Sequence, residues 1–326
     1  MNDCLIYGMI LILLIVCELL YFRIADKCNI IDKPNLRSSH TSITLRGGGI
    51  IFLLGMWIYS ILFSFPYPGF LLGLTLIAGI SFVDDIRSVS NKVRLIIHFT
   101  AMMLMFYSFG ILKPELWWMI VLALILCVGI INAYNFMDGI NGITGGYSLA
   151  VLLPLAYLNL QLNFVDANLL YVAILSVLVF NFFNFRKKAK CFAGDVGSVG
   201  IAFILLFALG KLILQTGDFT YILFLAIYGV DSVLTIIHRI LLHENIGKPH
   251  RKHVYQLMAN ELKMPHVVVS SIYMTLQMVV SFGMIILHVN HWAYLGCILG
   301  VLIVIYVSFK KKYYHLHVAY LKSKEN

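Results

Sequence analysis

Four aspartates at the ends of apolar runs, and a fifth inside one, carry the first chemical signal in this sequence. Asp84 and Asp85 close one run in SFVDDIRS, Asp138 follows another in NAYNFMDGINGITGG, and Asp195 precedes a third in CFAGDVGS. Asp231, in YGVDSVL, lies inside a run. Carboxylates gathered on one side of a molecule repel each other unless a cation joins them. Hard oxygen ligands suit Mg²⁺, or Mn²⁺, which keep waters and combine one or two carboxylates with substrate phosphates. Glycines beside Asp138 and Asp195 let backbone N–H groups approach an anion, and the start of a following helix favours phosphate. Basic residues in the segments 23–46 and 239–263 would neutralise a diphosphate. Together these features imply metal-assisted phosphoryl transfer.

Taken singly, each motif has a plainer reading. A pair of aspartates at a helix end is a solvated boundary, and Asp-Gly is a turn. The H-x-x-H of His250 and His253 sits in a basic, cysteine-free segment and is weak as a zinc pair. Asp231 differs, because an ionisable group inside a span is costly and is a functional candidate by default. Glu18, one turn from the end of its run, reads as snorkelling to the interface, and His98 as a packed core histidine.

The elements that must position these residues are membrane spans. The 326 residues are 61% hydrophobic and 12% charged, with a mean hydropathy of +0.90; a soluble domain carries about 25% charged residues. Solid apolar runs of roughly 18 or more residues predict an all-α polytopic membrane protein, not a barrel of alternating strands. About eleven spans are expected, over 4–22, 47–64, 68–83, 93–110, 116–136, 145–161, 168–185, 197–215, 219–238, 267–288 and 292–309. The first lacks a basic leader region and a small-residue cleavage site, and reads as an uncleaved span. No repeat interrupts the chain, and residues 1–326 read as a single integral membrane domain.

Charge placement tests this count. All of the 24 lysines and arginines except Lys113 and Lys211 fall in the odd-numbered loops or the C-terminal tail. Basic residues accumulate on the cytoplasmic side, so the N-terminus is expected outside and the C-terminus in the cytoplasm. The same rule accounts for the net charge of +9 without invoking nucleic acid. The fifth loop, which holds Asp138, is expected inside yet has no lysine or arginine. The six cysteines form no C-x-x-C pair and suggest neither a disulfide framework nor a zinc site.

Between about Asp32 and Gln256 the motifs resemble, in order, those of the polyprenyl-phosphate N-acetylhexosamine-1-phosphate transferase superfamily, glycosyltransferase family 4. DKPNLRSSHTSITLRGGG is similar to the family's first cytoplasmic loop, FVDDIRS to its Asp-Asp motif and NAYNFMDGINGITGG to its N-x-x-N-x-x-D-G signature. CFAGDVGS is similar to its F-x-G-D-x-G-S motif, and KPHRKHVYQ to the histidine-bearing last long loop of O-antigen and capsule initiators. The resemblance implies that polyprenyl (undecaprenyl) phosphate attacks the β-phosphorus of a UDP-N-acetylhexosamine, releasing UMP and leaving a lipid-linked diphosphate sugar. It implies Mg²⁺ as cofactor, a homodimer in the bacterial inner membrane, and an active site facing the cytoplasm.

By motif, Asp195 is expected as a Mg²⁺ ligand, with Asp84 and Asp85 acting on the lipid phosphate or the metal; Asp84 is the second candidate ligand. Phe192 matches an aromatic that stacks on uracil, while Asn132, Asn135 and Asp138 belong to the nucleotide pocket. Arg46, His250, Arg251 and His253 are the expected phosphate and sugar contacts. A phosphate monoester has a second pKa of about 6 and needs little deprotonation near neutrality, so positioning and electrostatics are favoured over base catalysis. The chain departs from the family pattern at Ile43, Leu45, Arg186 and Lys187, where prolines are usual, and at His238, where arginine is common; the carboxylates are intact. Two other classes compete. An intramembrane aspartyl protease needs G-x-G-D, and here Phe192 takes the first position. A transporter would use Asp231 as a coupling-ion site, and usually carries internal repeats and broken helices.

Overall fold

The computed structural model describes residues 3–34, 43–247 and 250–325. The central part of the first motif loop, with Arg37, and the Lys248–Pro249 pair of the last lie outside the described residues. The chain forms helices α1 (Asp3–Lys27), α2 (Ile50–Leu62), α3 (Pro68–Ile86), α4 (Asn91–Phe109), α5 (Trp117–Met137) and α6 (Ile143–Leu162). It continues through α7 (Ala167–Asn184), α8 (Gly194–Thr216), α9 (Ala226–Leu241), the short α10 (Val254–Gln256), α11 (His266–Ile286) and α12 (His291–Glu325).

Among the described residues, ten helical segments are long and apolar enough to cross a membrane, and α2 is a shorter apolar helix. This is the all-α polytopic architecture that the apolar runs predict. Three details differ from the expected spans. Helix α2 has 13 residues, about 20 Å at ~1.5 Å per residue, because the glycines before it form a turn. The ninth span enters through a 3₁₀ segment, Phe219–Leu225. The last span does not end near residue 309: α12 runs for 35 residues, so the expected tail is helix.

Helices α8 and α6 are the most enclosed, and α5 and α12 the most exposed on their flanks. An apolar environment leaves buried polar groups no water to bond, so they must pair with each other. Tyr147 Oη donates to Gln277 Oε1 at 2.6 Å; the same oxygen accepts Ile227 N at 3.1 Å, which ties α6, α9 and α11 together. Lys211, one of the two basic residues outside the odd-numbered loops and tail, donates from Nζ to Ser108 O at 3.0 Å, among the rings of Tyr67, Phe109 and Phe207.

Candidate active site

The site begins with a backbone contact between two loops far apart in sequence. Strand β1 (Ile31–Asp32) pairs antiparallel with β2 (Thr44–Leu45), and Leu45 forms a parallel bridge with Cys191. Phe192 N donates to Leu45 O at 2.8 Å, Gly48 N to Phe192 O at 2.8 Å and Gly49 N to Ala193 O at 3.1 Å. Such an approach excludes side chains. A Cβ on Gly49 would lie 2.2 Å from Gly197 Cα, and Gly194 takes φ +71° with only 2.6 Å from its ideal Cβ position to Asp85 Oδ2. L-residues with a side chain pay about 1–2 kcal/mol for that left-handed conformation. The glycines of RGGG and AGD are therefore the means by which Arg46 is laid beside Asp195.

Asp85 lies at the centre of this contact. Its side chain is fully buried and receives Arg46 Nε at 2.7 Å. It also accepts the backbone N–H groups of Asp195 at 2.9 Å and Val196 at 3.0 Å, so it satisfies the open N-terminus of α8 from another helix. Asp195, in the first turn of α8, keeps a side chain 20% exposed, with Arg46 Nη2 at 3.5 Å. Burial lowers the pKa of Arg46, but the charges of Asp85 and Asp195 outweigh it and hold the guanidinium more firmly protonated than usual. Asp84 points elsewhere, since adjacent helical residues diverge by about 100°. It accepts Arg94 Nη1 at 2.8 Å and Val89 N at 2.7 Å.

The NAYNFMDGINGITGG segment divides into two parts. Its first part faces the carboxylates. Asn135 Oδ1 accepts Ser198 Oγ at 3.0 Å, one turn after Asp195, and Asp138 Oδ1 accepts Thr144 Oγ1 at 2.6 Å. Burial pushes the Asp138 carboxyl up to about 7; Thr144 and Arg46 oppose this, while Asp195 and Asp85 add to it. The second part is structural. Asn141 Nδ2 donates to Arg186 O at 3.0 Å, Gly142 N donates to Asn184 Oδ1 at 2.7 Å, and Asn184 Nδ2 donates to Cys191 O at 2.8 Å. These bonds lock the fifth loop onto the loop bearing Phe192, which is half-buried.

Asn132 and Phe136, both exposed at the end of α5, line an apolar cavity of about 820 Å³ between α5, α9 and α12, with Gly229, Ser232 and Leu299 on its other walls. The ring of His250 lies against this end of α5, its centroid 6.4 Å from that of Phe136. Burial, then the neighbouring His253, Arg239 and Lys252, push His250 down to about 3, so the imidazole is neutral there.

Two acids sit in contacts that no local sequence pattern marks. Glu18 does not snorkel: it is fully buried, with Cys191 Sγ at 3.6 Å from Oε1. Helix α1 continues to Lys27, which places Glu18 beneath the glycine turn and not at an interface. Asp231, buried at 4% exposure, has its oxygens occupied. It accepts Val254 N at 3.0 Å, Tyr255 N at 3.4 Å and Tyr273 Oη at 2.7 Å, and lies 3.5 Å from His253 Nδ1. A group so engaged anchors the last loop and leaves little for a coupling ion. His253 is itself buried, and Arg251 is held by Glu261 at 3.3 Å. Of the expected contacts in that loop, His250 is the one with its ring beside Phe136.

Comparison with known proteins reaches the same region. The model of glycosyl transferase family 4 matches residues 67–213. A probable undecaprenyl-phosphate N-acetylglucosaminyl 1-phosphate transferase of Bacillus subtilis is 32% identical over 259 residues, covering 73% of this chain and 72% of the relative. The chain belongs to glycosyl transferase family 4, the polyprenyl-phosphate N-acetylhexosamine-1-phosphate transferase superfamily. An undecaprenyl-phosphate alpha-N-acetylglucosaminyl 1-phosphate transferase of Thermotoga maritima is 26% identical over 252 residues, 73% of this chain and 76% of the relative. The phospho-N-acetylmuramoyl-pentapeptide-transferase of Thermotoga neapolitana is 29% identical over 208 residues, 58% and 67% of the two chains.

The donor set can be weighed against the Mg²⁺ that the family resemblance implies. Among the described residues no three His, Cys, Asp or Glu side chains gather closely enough to hold an ion alone. Mg²⁺ ordinarily takes one or two carboxylates and completes its shell with water and substrate phosphates. The part-exposed Asp195 fits that pattern. Asp84 and Asp85 fit it less well, because both oxygens of each are bound to donors.

Proposed function

We propose that this membrane enzyme transfers an N-acetylhexosamine-1-phosphate from a UDP-sugar to polyprenyl (undecaprenyl) phosphate, starting the synthesis of a lipid-linked surface glycan such as O-antigen or capsule. One observation carries the reading: helix α5 holds both Asn135, which bonds Ser198 one turn after Asp195, and Asn132 and Phe136, which line a large apolar cavity. A water-soluble nucleotide and a membrane-bound acceptor can meet only at such a junction, and apolar walls with few polar groups suit a lipid chain.

In this scheme an oxygen of polyprenyl phosphate attacks the β-phosphorus of the donor. The bond from that phosphorus to the bridging oxygen breaks, and UMP departs with the electron pair. Arg46 offsets charge on the diphosphate. Asp195, joined by Asp84 once it is released from Arg94, would hold Mg²⁺, with Mn²⁺ as substitute, and the ion would supply neutralisation of the phosphate oxygens. Phe192 stacks on the uracil, Asn132, Asn135 and Asp138 wall the nucleotide, and His250 reaches the sugar or phosphates. Asp85 orients Arg46 and the α8 turn. The segregation of lysine and arginine supports a cytoplasmic site in the bacterial inner membrane, an outer N-terminus and a cytoplasmic C-terminus. A homodimer belongs to the same proposal on family resemblance.

The test is direct. Purified protein in nanodiscs, given undecaprenyl phosphate, Mg²⁺ and a panel of UDP-N-acetylhexosamines, is expected to release UMP and form labelled lipid from at least one donor. UMP release that does not need the lipid acceptor, or no turnover with any donor, would overturn the assignment.

A further inference from the structure

The cytoplasmic half of α12 carries a stripe that the reaction as described does not use. Tyr306, Lys310, Tyr314, His317 and Tyr320 recur every three or four residues, which places them on one face of a helix. Each touches the segment from α9 to α11. Tyr306 Oη lies 2.9 Å from Thr235 Oγ1. Lys310 Nζ donates to Lys252 O, and Lys252 Nζ lies over the Tyr314 ring at 5.7 Å. His317 Nδ1 is 2.8 Å from Glu261 Oε1, with both side chains under 5% exposed. Arg251 lies over the Tyr320 ring at 4.7 Å and reaches the same Glu261 oxygen at 3.3 Å.

Glu261 therefore joins α12 to the loop that carries His250. It ends a π-helical turn, Leu257–Glu261, a distortion that recurs at functional sites. A histidine and an arginine that converge on one buried carboxylate form a three-point joint, and its removal would leave Glu261 or Arg251 buried without a counter-charge. From Asp231 the loop receives its other anchor, at Val254 and Tyr255. His250 comes directly before Arg251 and so directly before both anchors, with its ring 6.4 Å from that of Phe136.

We infer that α12 is part of the transferase site: His317 and Glu261 lock Arg251, and this joint positions His250 for the donor. Arg251 and His317 are positioning residues in this scheme, acting through His250, and the inference rests on the function proposed above. The joint is set by contacts and not by chemistry, so its loss reads out in donor binding more than in turnover.

The experiment uses the full chain in nanodiscs with His317→Ala, His317→Asn, Arg251→Ala and the double variant His317→Ala/Arg251→Ala. His317→Ala is expected to raise the UDP-sugar KM about tenfold with kcat within threefold. His317→Asn, whose amide can still reach Glu261, is expected to recover most of the loss. The double variant should be no worse than Arg251→Ala alone, since residues acting through one joint are not additive. Hydrogen exchange over residues 250–262 should quicken in His317→Ala while α3 and α8 stay protected. An unchanged donor KM, additive losses, or unaltered exchange in that segment would overturn the inference. Exchange requires no turnover, so it judges the joint even if the wild-type chain proves inactive on every UDP-sugar, which would instead refute the proposed function.

Discussion

Asp85→Asn is the sharpest perturbation of this site because it preserves shape and removes charge. The wild-type carboxylate accepts three donors: Arg46 Nε at 2.7 Å, Asp195 N at 2.9 Å and Val196 N at 3.0 Å. An amide has one acceptor oxygen, and its NH₂ must turn towards at least one of these donors. With the oxygen kept on Arg46 and Asp195, Val196 N loses its acceptor, and a buried unsatisfied donor costs about 1–3 kcal/mol. Loss of the charge-assisted part of the Arg46 contact adds roughly 1 kcal/mol, small because solvent reaches that arginine. The total is about 3 kcal/mol, which corresponds to roughly 150-fold if it is all expressed in the transition state. Steady-state UMP release at saturating lipid, measured with the thermal midpoint, checks this: kcat/KM should fall by about two orders of magnitude with a modest loss of stability. A variant within threefold of wild type would refute the assignment of Asp85 as the group that orients Arg46 and the α8 turn.

Asp195→Asn is expected to abolish turnover while leaving detergent-extracted folding intact; wild-type rates in this variant would remove Asp195 from the reaction. Chelation with EDTA should inactivate the protein, and added Mg²⁺ should restore it, whereas activity retained after chelation would exclude the cation. Phe192→Ala should raise the UDP-sugar KM more than it lowers kcat, and the reverse pattern would argue against stacking on the base. Gly49→Ala places a Cβ 2.2 Å from Gly197 Cα, against backbone that has little room to shift. A clear drop in thermal midpoint is expected, and an unchanged one would show that the two loops do not pack as described.

The sequence was informative wherever one stretch carried its own signal. Apolar runs marked the spans, and the aspartates with their flanking glycines marked loops that meet at one end of the bundle. It was uninformative where a residue's meaning lies in a distant partner. Glu18 and Cys191 are 173 residues apart, and no local pattern joins them. Asp231 has the look of a transport residue, because a charge within a span is costly; the backbone N–H groups of Val254 and Tyr255 that occupy it sit 23 and 24 residues away. Arg251 and His253 read as anion contacts because they are basic and belong to a motif, yet in the fold they are bound to Glu261 and Asp231. The stripe from Tyr306 to Tyr320 was legible in principle from its helical spacing, but it lay beneath a lysine-rich composition that reads as tail.

The bridge between Leu45 and Cys191 also governs when the enzyme comes into being. A ribosome makes the chain from its N-terminus, so Asp85 and Arg46 emerge long before Gly194–Asp195 can meet them. Until α8 has been inserted, Asp85 lacks the backbone donors that later bury it, and the triple glycine has no partner strand. Seven helices must therefore wait in the bilayer for the eighth, and a chain cut short before residue 191 holds most of the motifs and none of the backbone contacts that join the two loops.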